Sequence, residues 1–479
     1  MALPGAGVGP SRRRVPLIYA RHGMNARLAI ESFAARAAAR LSRLAGTGGG
    51  TTIPGKLLWK LDPRAIDALA ARLPRGAAVV SATNGKTTTT AMVAEILGPG
   101  IRLAWNRSGA NLLSGIASTL LAERDAELGL FEVDEAALPE AARRVQPRAL
   151  LLGNLFRDQL DRYGELEHVA DGWRRTVRAL PHSTILVVNG DDPQVGSLAG
   201  TRDDAIAYGL DDPRHARGTL QHAADSRYCI VCGHPYEFVA AYVGHLGNYR
   251  CPACGHARPE LQVVARAIEL NGLESAAFEL VTPDGSMRVR LRLPGLYNVY
   301  NAVGAAALAQ ALGAGLEQIR DGLERFDAAF GRFERIVSGD KSILILLIKN
   351  PAGANEVVRT LEDAGEQPVL LLALNDAIAD GKDVSWIWDV DLEPLLATTE
   401  RVIASGDRAA ELGLRCTYGS LDESALEVDS DLERALDRGL ELTPPGGELV
   451  ILPTYTAMLA LRRIVSKRGH VPQYWMRAA

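Results

Sequence analysis

Apolar positions along the 479-residue chain fall into short unbroken runs set between longer stretches of helical spacing. Residues 77–80, 128–133, 149–152 and 184–188 read as buried strands: brief, rich in Val, Leu and Ile, and each followed by a polar or glycine-containing loop. The stretch 87–97 between the first two has helical character. Strands alternating with helices predict an α/β fold with a mostly parallel sheet and helices on its faces. Residues 276–281 and 287–293 read as an antiparallel pair, and 297–312 as a buried Ala-rich helix. A second α/β unit starts near residue 331, with strands predicted at 343–348, 369–374, 401–404 and 449–452. Ahead of both, 25–44 reads as a helix with Leu28, Phe33, Ala37 and Leu41 on one side and arginines between them. A Gly- and Thr-rich linker at 46–55 follows. The expected division is therefore 1–55, 56–330 and 331–479, with a cysteine-bearing insertion at about 225–258.

Composition narrows the class. With 47% apolar and 23% charged residues, extensive disorder is excluded. Lys plus Arg, 53, is balanced by 57 Asp plus Glu, which argues against a surface devoted to nucleic acid. Arg12, Arg13 and Arg14 are not followed by an apolar core, so no secretory signal is expected, and Met24 is an alternative start. The best apolar run, 343–348, falls far short of the roughly 18–20 residues that span a bilayer. A cytoplasmic protein is expected. The basic 25–44 helix is read as docked on the body, with attraction to anionic lipid as the sharper alternative. Only seven lysines occur, and none lies between Lys86 and Lys341.

Lys86 sits in the sequence Thr83-Asn84-Gly85-Lys86-Thr87-Thr88, between a predicted strand and a predicted helix. That context suits a phosphate cradle. Backbone N–H groups and the helix N-terminus face the anion, the lysine neutralises it, and a threonine hydroxyl ligates Mg²⁺. Val80 stands where the first glycine of a Walker-type loop belongs. ATP binding is the expectation.

This loop resembles that of the Mur ligase and folylpolyglutamate synthetase superfamily, and further motifs follow in the same order. They are Asn106–Asn111, the strand-end Glu132 within Phe131–Glu135, the block Asn154-x3-Asp158-x-Leu160-Asp161-Arg162, Asn189-x-Asp191-Asp192, Gly295-x2-Asn298-x2-Asn301, Gly331–Glu334 and Lys349-Asn350-Pro351. The resemblance implies a P-loop-type central ATPase domain followed by a Rossmann-like C-terminal domain, with Glu132 on Mg²⁺ and Asn298 near the adenine. Two departures matter. Gln159 replaces the usual histidine, and the lysine gap removes the carbamylated lysine that several Mur ligases carry.

Cys229-x2-Cys232 and Cys251-x2-Cys254 lie 18 residues apart, each pair followed by glycine. This is the spacing of a four-cysteine zinc ribbon, whose thiolates close a tetrahedral Zn²⁺ site. Few cations cluster near it, so a scaffold role is favoured over nucleic-acid binding. Cys416, the remaining thiol, reads as a small buried hydrophobe.

An acidic segment, Asp380-Gly381-Lys382-Asp383-Val384-Ser385-Trp386-Ile387-Trp388-Asp389, follows a predicted strand of the second unit. Together with a ribbon inserted in a Mur-type domain, it resembles the MurT family, synthetase subunits that work with a GatD-type glutaminase. The resemblance implies ATP-dependent amidation of the D-glutamate α-carboxylate of lipid II, with ammonia from the partner, at the inner face of the membrane. Lys86 is the expected catalytic cation. Asp383 is implied to complete the partner's triad, with Asp389 the competing assignment. The alternative reading is a ligase that adds an amino acid on its own.

Overall fold

The computed structural model describes residues 53–469 apart from 63, 107–109, 159–165, 219, 222–223, 328–332 and 366–368. The helix read at 25–44, and Gln159, Asp161, Arg162, Gly331 and the Arg107–Gly109 part of the Asn106 loop, lie outside the described residues. A helix, Ile53–Leu61, takes over the end of the stretch read as linker, where Gly55 N–H donates to Ser118 Oγ at 2.9 Å.

Eleven strands precede residue 300: β1 (Ala77–Ser81), β2 (Leu103–Trp105), β3 (Leu128–Glu132), β4 (Ala149–Leu152), β5 (Ile185–Asn189), β6 (Ile206–Leu210), β7 (Glu237–Val243), β8 (Leu246–Arg250), β9 (Val263–Asn271), β10 (Ser275–Thr282) and β11 (Gly285–Leu291). Nine of them form one sheet in the order β11-β10-β9-β6-β5-β4-β1-β3-β2. It is parallel from β2 through β9, and only β10 and β11 run antiparallel to their neighbours. Apolar cores lie on both faces. One contains the helices Lys86–Leu97 and Leu296–Ala311, and the other the helices from Leu113 to Val177. β2, β6 and β9 were not among the predicted strands, and the reason is local. β2 has three residues, β6 contains Tyr208 and Gly209, and β9 alternates apolar residues with Arg266 and Glu269.

β6 and β9 are neighbours, with Tyr208 opposite Val263, so the chain leaves the sheet, builds the separate β7–β8 hairpin and returns beside its point of departure.

Six strands follow: β12 (Phe333–Ser338), β13 (Lys341–Leu346), β14 (Val369–Ala373), β15 (Arg401–Ser405), β16 (Leu426–Asp429) and β17 (Glu448–Pro453). They form a second sheet, β12-β13-β17-β14-β15-β16, parallel except at β12. In a parallel α/β sheet the loops at the carboxyl ends of the strands gather at one edge, where ligands bind. Here the carboxyl-end loops of the two sheets meet, through Asn84 with Asn350 and Asp158 with Lys349. No helix among the described residues is long and apolar enough to cross a membrane.

Candidate functional site

The loop after β1 is held from three sides. Gly85 has φ +83°, and a Cβ there would come 1.9 Å from Asn301 Oδ1, so the position demands glycine. Asn154, beyond β4, clamps the neighbouring backbone: its Oδ1 accepts from Asn84 N–H at 2.9 Å and its Nδ2 donates to Asn84 O at 3.1 Å. From the second sheet, the Asn350 amide exchanges two hydrogen bonds with the Asn84 side chain, at 3.2 and 3.0 Å. No side chain caps the Lys86–Leu97 helix, so its first-turn N–H groups suit an anion.

Lys86 is buried. Its Nζ donates to Ala82 O at 2.9 Å and to Glu135 Oε2 at 2.9 Å. Burial alone would push the ammonium down, but Glu135, then Glu132 and Asp134, outweigh it and raise it above the ordinary lysine value. Glu135 responds in the opposite sense. Burial pushes its carboxyl up, but Lys86 and Lys349 pull it below the usual range. Thr87 Oγ1 donates to Glu132 Oε1 at 2.9 Å. Asn106 fixes that strand end, accepting from Glu132 N–H at 2.9 Å and donating to Glu132 O at 2.8 Å. A hydroxyl and a carboxylate side by side form a hard-oxygen donor set that fits Mg²⁺.

A second cation–carboxylate pair closes the seam. Lys349 Nζ contacts Asp158 Oδ2, and the buried Asp158 Oδ1 has no hydrogen-bond partner. Burial raises the Asp158 carboxyl, and Lys349 offsets part of that rise.

Beside the loop opens a cleft of about 800 Å³ lined by Asn84, Gly85, Thr88 and Tyr300 from the first unit and Lys349 and Glu356 from the second. Thr83 lies behind it, its Oγ1 accepting from Phe156 N–H at 3.1 Å. Tyr297 and Asn301 line the cleft but Asn298 does not. Its amide donates to Pro294 O at 2.7 Å and accepts from Asn301 at 3.2 Å. Val243 and Leu246, from the tip of the β7–β8 hairpin, also form part of the wall.

At the other end of that hairpin, the sulfurs of Cys229, Cys232, Cys251 and Cys254 all lie within 4.8 Å of one another. Tetrahedral Zn–S bonds of about 2.3 Å require sulfurs about 3.8 Å apart. The set fits zinc. The two knuckles are copies of one turn. Gly233 N–H donates to Cys229 O at 2.8 Å and Gly255 N–H to Cys251 O at 3.0 Å, and both glycines have positive φ. Burial opposes ionisation of Cys229, but N–H groups of Val231 and Cys232 aimed at its sulfur bring it down to about 6.

Asp383 and Asp389 share a recess of about 550 Å³ with Asp158, Lys349 and Arg157. They differ in engagement. Asp383 is exposed, its Oδ1 accepting from Ser385 N–H at 2.9 Å, and these hydrogen bonds hold its carboxyl below the usual range. Asp389 is half-buried, 3.6 Å from Arg157 Nη2. Buried Arg415 fixes the segment by donating to Val390 O at 2.7 Å and Ile387 O at 3.2 Å.

Several participants escape sequence reasoning. Glu135 as the partner of Lys86 hides among the three acids of Glu132-Val133-Asp134-Glu135, and nothing in the composition of 243–246 marks a cleft wall. Arg157, which joins Asp225 to Asp389, is one of 46 arginines.

Comparison with known proteins matches the Mur ligase middle domain to residues 80–251 and the MurT ligase C-terminal domain to residues 347–458. The subunit MurT of lipid II isoglutaminyl synthase (glutamine-hydrolyzing) from Streptococcus pneumoniae is 34% identical, over 89% of this chain and 94% of its own length. The Staphylococcus aureus N315 subunit MurT is 30% identical over 88% and 94%. A UDP-N-acetylmuramate–L-alanine ligase from Aquifex aeolicus is 27% identical but matched over only 47% of its length. Among solved structures, a pseudomurein peptide ligase type C from Methanothermus fervidus superposes with TM-score 0.66 at 21% identity, covering 84% of this chain and 80% of that one. Folylpolyglutamate synthase from Mycobacterium tuberculosis does so at 0.59 and 15%, covering 86% and 96%. The superpositions establish the shared ligase fold, and the match along nearly the full length of two MurT subunits decides within it: the chain belongs to the MurT family.

Proposed function

We propose that this chain is the synthetase half of a two-chain amidating ligase, which converts the α-carboxylate of D-glutamate in the lipid II stem peptide to the amide. Family membership supports the reaction, and the state of the cysteines supports the division of labour. Four sulfurs are gathered in one metal-type cluster. The fifth, Cys416, is buried in the second core, where burial pushes its thiol up to about 12. None is placed to act as a glutaminase nucleophile, and this reading takes the ammonia from a GatD-type subunit.

In this reading the cleft takes ATP, with Thr83, Asn84, Gly85, Lys86, Thr87 and Thr88 around the phosphates. Lys86 leaves Glu135 and neutralises charge on the transferring phosphoryl group. Thr87 and Glu132 would hold Mg²⁺, which supplies further charge neutralisation at the phosphates. The substrate carboxylate oxygen attacks the γ-phosphorus and ADP departs. The acyl phosphate so formed has a good leaving group, which a carboxylate lacks. Ammonia then adds at the acyl carbon and inorganic phosphate leaves. Asp383, exposed beside the seam, is the acid suited to orienting a partner histidine, because Asp389 already engages Arg157.

The test supplies the chain with ATP, lipid II and either ammonium or glutamine. Amidation with ammonium alone, and with glutamine only when the glutaminase is added, is the expected result. Incorporation of an amino acid in place of ammonia would overturn the reading.

A further inference from the structure

The ribbon has so far only a scaffold role, yet its geometry ties it to the nucleotide cleft. β7 and β8 form a two-stranded sheet of their own, with only single bridges from Ala241 to Arg217 and from Arg250 to Ala257 beyond it among the described residues, and an isolated two-stranded hairpin is marginal in water. Two irregularities interrupt its register. The apolar cluster under the cysteines contains just two buried aromatics, Tyr236 and Tyr249. The hairpin is therefore held at its two ends: by the four-sulfur cluster at one, and, roughly 20 Å away, by the Gly244-His245 turn and the strand ends beside it, where Ala240, Tyr242, Val243 and Leu246 join the first core and Gly247 N–H donates to Asp191 O at 2.8 Å.

That turn is sunk into the central unit. His245 is fully buried. Its Nδ1 accepts from Asp225 N–H at 3.3 Å, its Nε2 lies 3.4 Å from Asp192 Oδ2, and its ring is 4.5 Å from that of Phe156. The same Asp192 oxygen accepts from Leu155 N–H at 2.9 Å, and Phe156 N–H donates to Thr83. A second route leaves the second knuckle. Arg258 donates to Asp191 Oδ1 at 3.0 Å, and Asp191 Oδ2 accepts from Tyr300 at 2.7 Å, itself a cleft residue. Opposite, Arg359 of the second unit donates to Tyr242 O at 2.8 Å, and Gln221 bridges Gly244 N–H and Glu356.

We propose that the ribbon is a working wall of the nucleotide site: metal at the four cysteines sets the hairpin so that Val243 and Leu246 complete the cleft, and His245 braces the 154–157 loop against the phosphate loop. His245 is on this view a positioning residue, and Zn²⁺ and nucleotide bind with positive cooperativity. The proposal rests on reading the cleft as the ATP site.

Cooperativity is reciprocal, so each ligand tightens the other by one factor. Zinc affinity of the full chain is measured by competition with a chromogenic chelator, with and without a non-hydrolysable ATP analogue. The analogue should tighten zinc about fivefold or more. His245→Gln keeps the four cysteines. It should bind one zinc per chain with unchanged affinity in the absence of nucleotide. It should also bind the analogue about fivefold more weakly and lose most of the mutual tightening. If the zinc-loaded wild type binds the analogue but its zinc affinity does not move, the inference falls alone. If the wild type does not bind the analogue at all, the ATP reading falls and takes the inference with it. A His245→Gln chain that melts early but binds the analogue with wild-type affinity would reduce the residue to packing and overturn its role.

Discussion

Lys86 and Asp383, the two residues to which the proposed function gives the chemistry, sit in opposite surroundings. Lys86 is buried among carboxylates, its ammonium on Glu135. On the proposed reading, Lys86→Ala should all but abolish ammonium-driven amidation, losing about 10²–10³-fold in turnover, the cost of removing one group that stabilises transferring charge. Asp383 stands in solvent, capped on one side by Ser385. Asp383→Asn should leave ammonium-driven turnover intact and remove glutamine-driven turnover, and parallel rate assays with the two nitrogen sources check this. Equal loss of both would place Asp383 in the synthetase reaction itself. Glu356 offers a test by pH. Burial in the cleft wall lifts its carboxyl above the ordinary range, with Arg359, Arg217 and Gln221 offsetting only part. The folded chain thus holds that proton to higher pH than the unfolded chain, whose value is about 4.3. Stability accordingly falls as pH rises from there through the folded value. Glu356→Gln removes the dependence while still offering Gln221 an acceptor, so its Tm relative to wild type should climb from about pH 5 to about pH 8. A constant difference would show that Glu356 does not take up a proton on folding in that window.

At the scale of elements, the β1–loop–helix unit was readable because everything it needs lies within a dozen residues: a buried strand, a glycine and a lysine at the helix start. The structure adds that Gly85 is constrained from outside its own loop, by Asn301 of the Leu296–Ala311 helix. Gly85→Ala should therefore cost more than the roughly 1–2 kcal/mol of a left-handed alanine, because Asn301 or the loop must also shift. Isothermal titration with an ATP analogue should show affinity falling about tenfold or more. The cysteine knuckles were equally readable, since four ligands at fixed spacing leave little choice. The hairpin they support was not. Residues 237–250 mix Ala, Gly, Asn and Tyr with no clean alternation, and their tip is buried by groups more than 50 positions earlier, among them Asp192 and Phe156.

For the whole molecule, the seam is the decisive feature. Two sheets, each with its carboxyl-end loops on one edge, face each other through the Asn84–Asn350 amide pair and the Asp158–Lys349 and Arg157–Asp389 ion pairs, with Arg359–Tyr242 and Gln221–Glu356 beside them. Lys349→Met would leave Asp158 buried without its cation and weaken the seam. Small-angle scattering of the nucleotide-free variant should give a larger radius of gyration than wild type, whereas an unchanged radius would mean that the remaining seam contacts, Asn84–Asn350, Arg157–Asp389, Arg359–Tyr242 and Gln221–Glu356, suffice. The sequence by itself determined the alternation of strands and helices, the strand–loop–helix around Lys86 and the cysteine knuckles, because each is written in residues a few positions apart and local chain geometry makes them neighbours. Only the tertiary structure decided that Lys86 rests on Glu135, that Asp158 meets Lys349 across 191 positions, and that a zinc-type ribbon reaches the cleft beside the Lys86 loop. Such contacts depend on how sheet edges and hairpin ends come together, and no spacing along the chain encodes that distance.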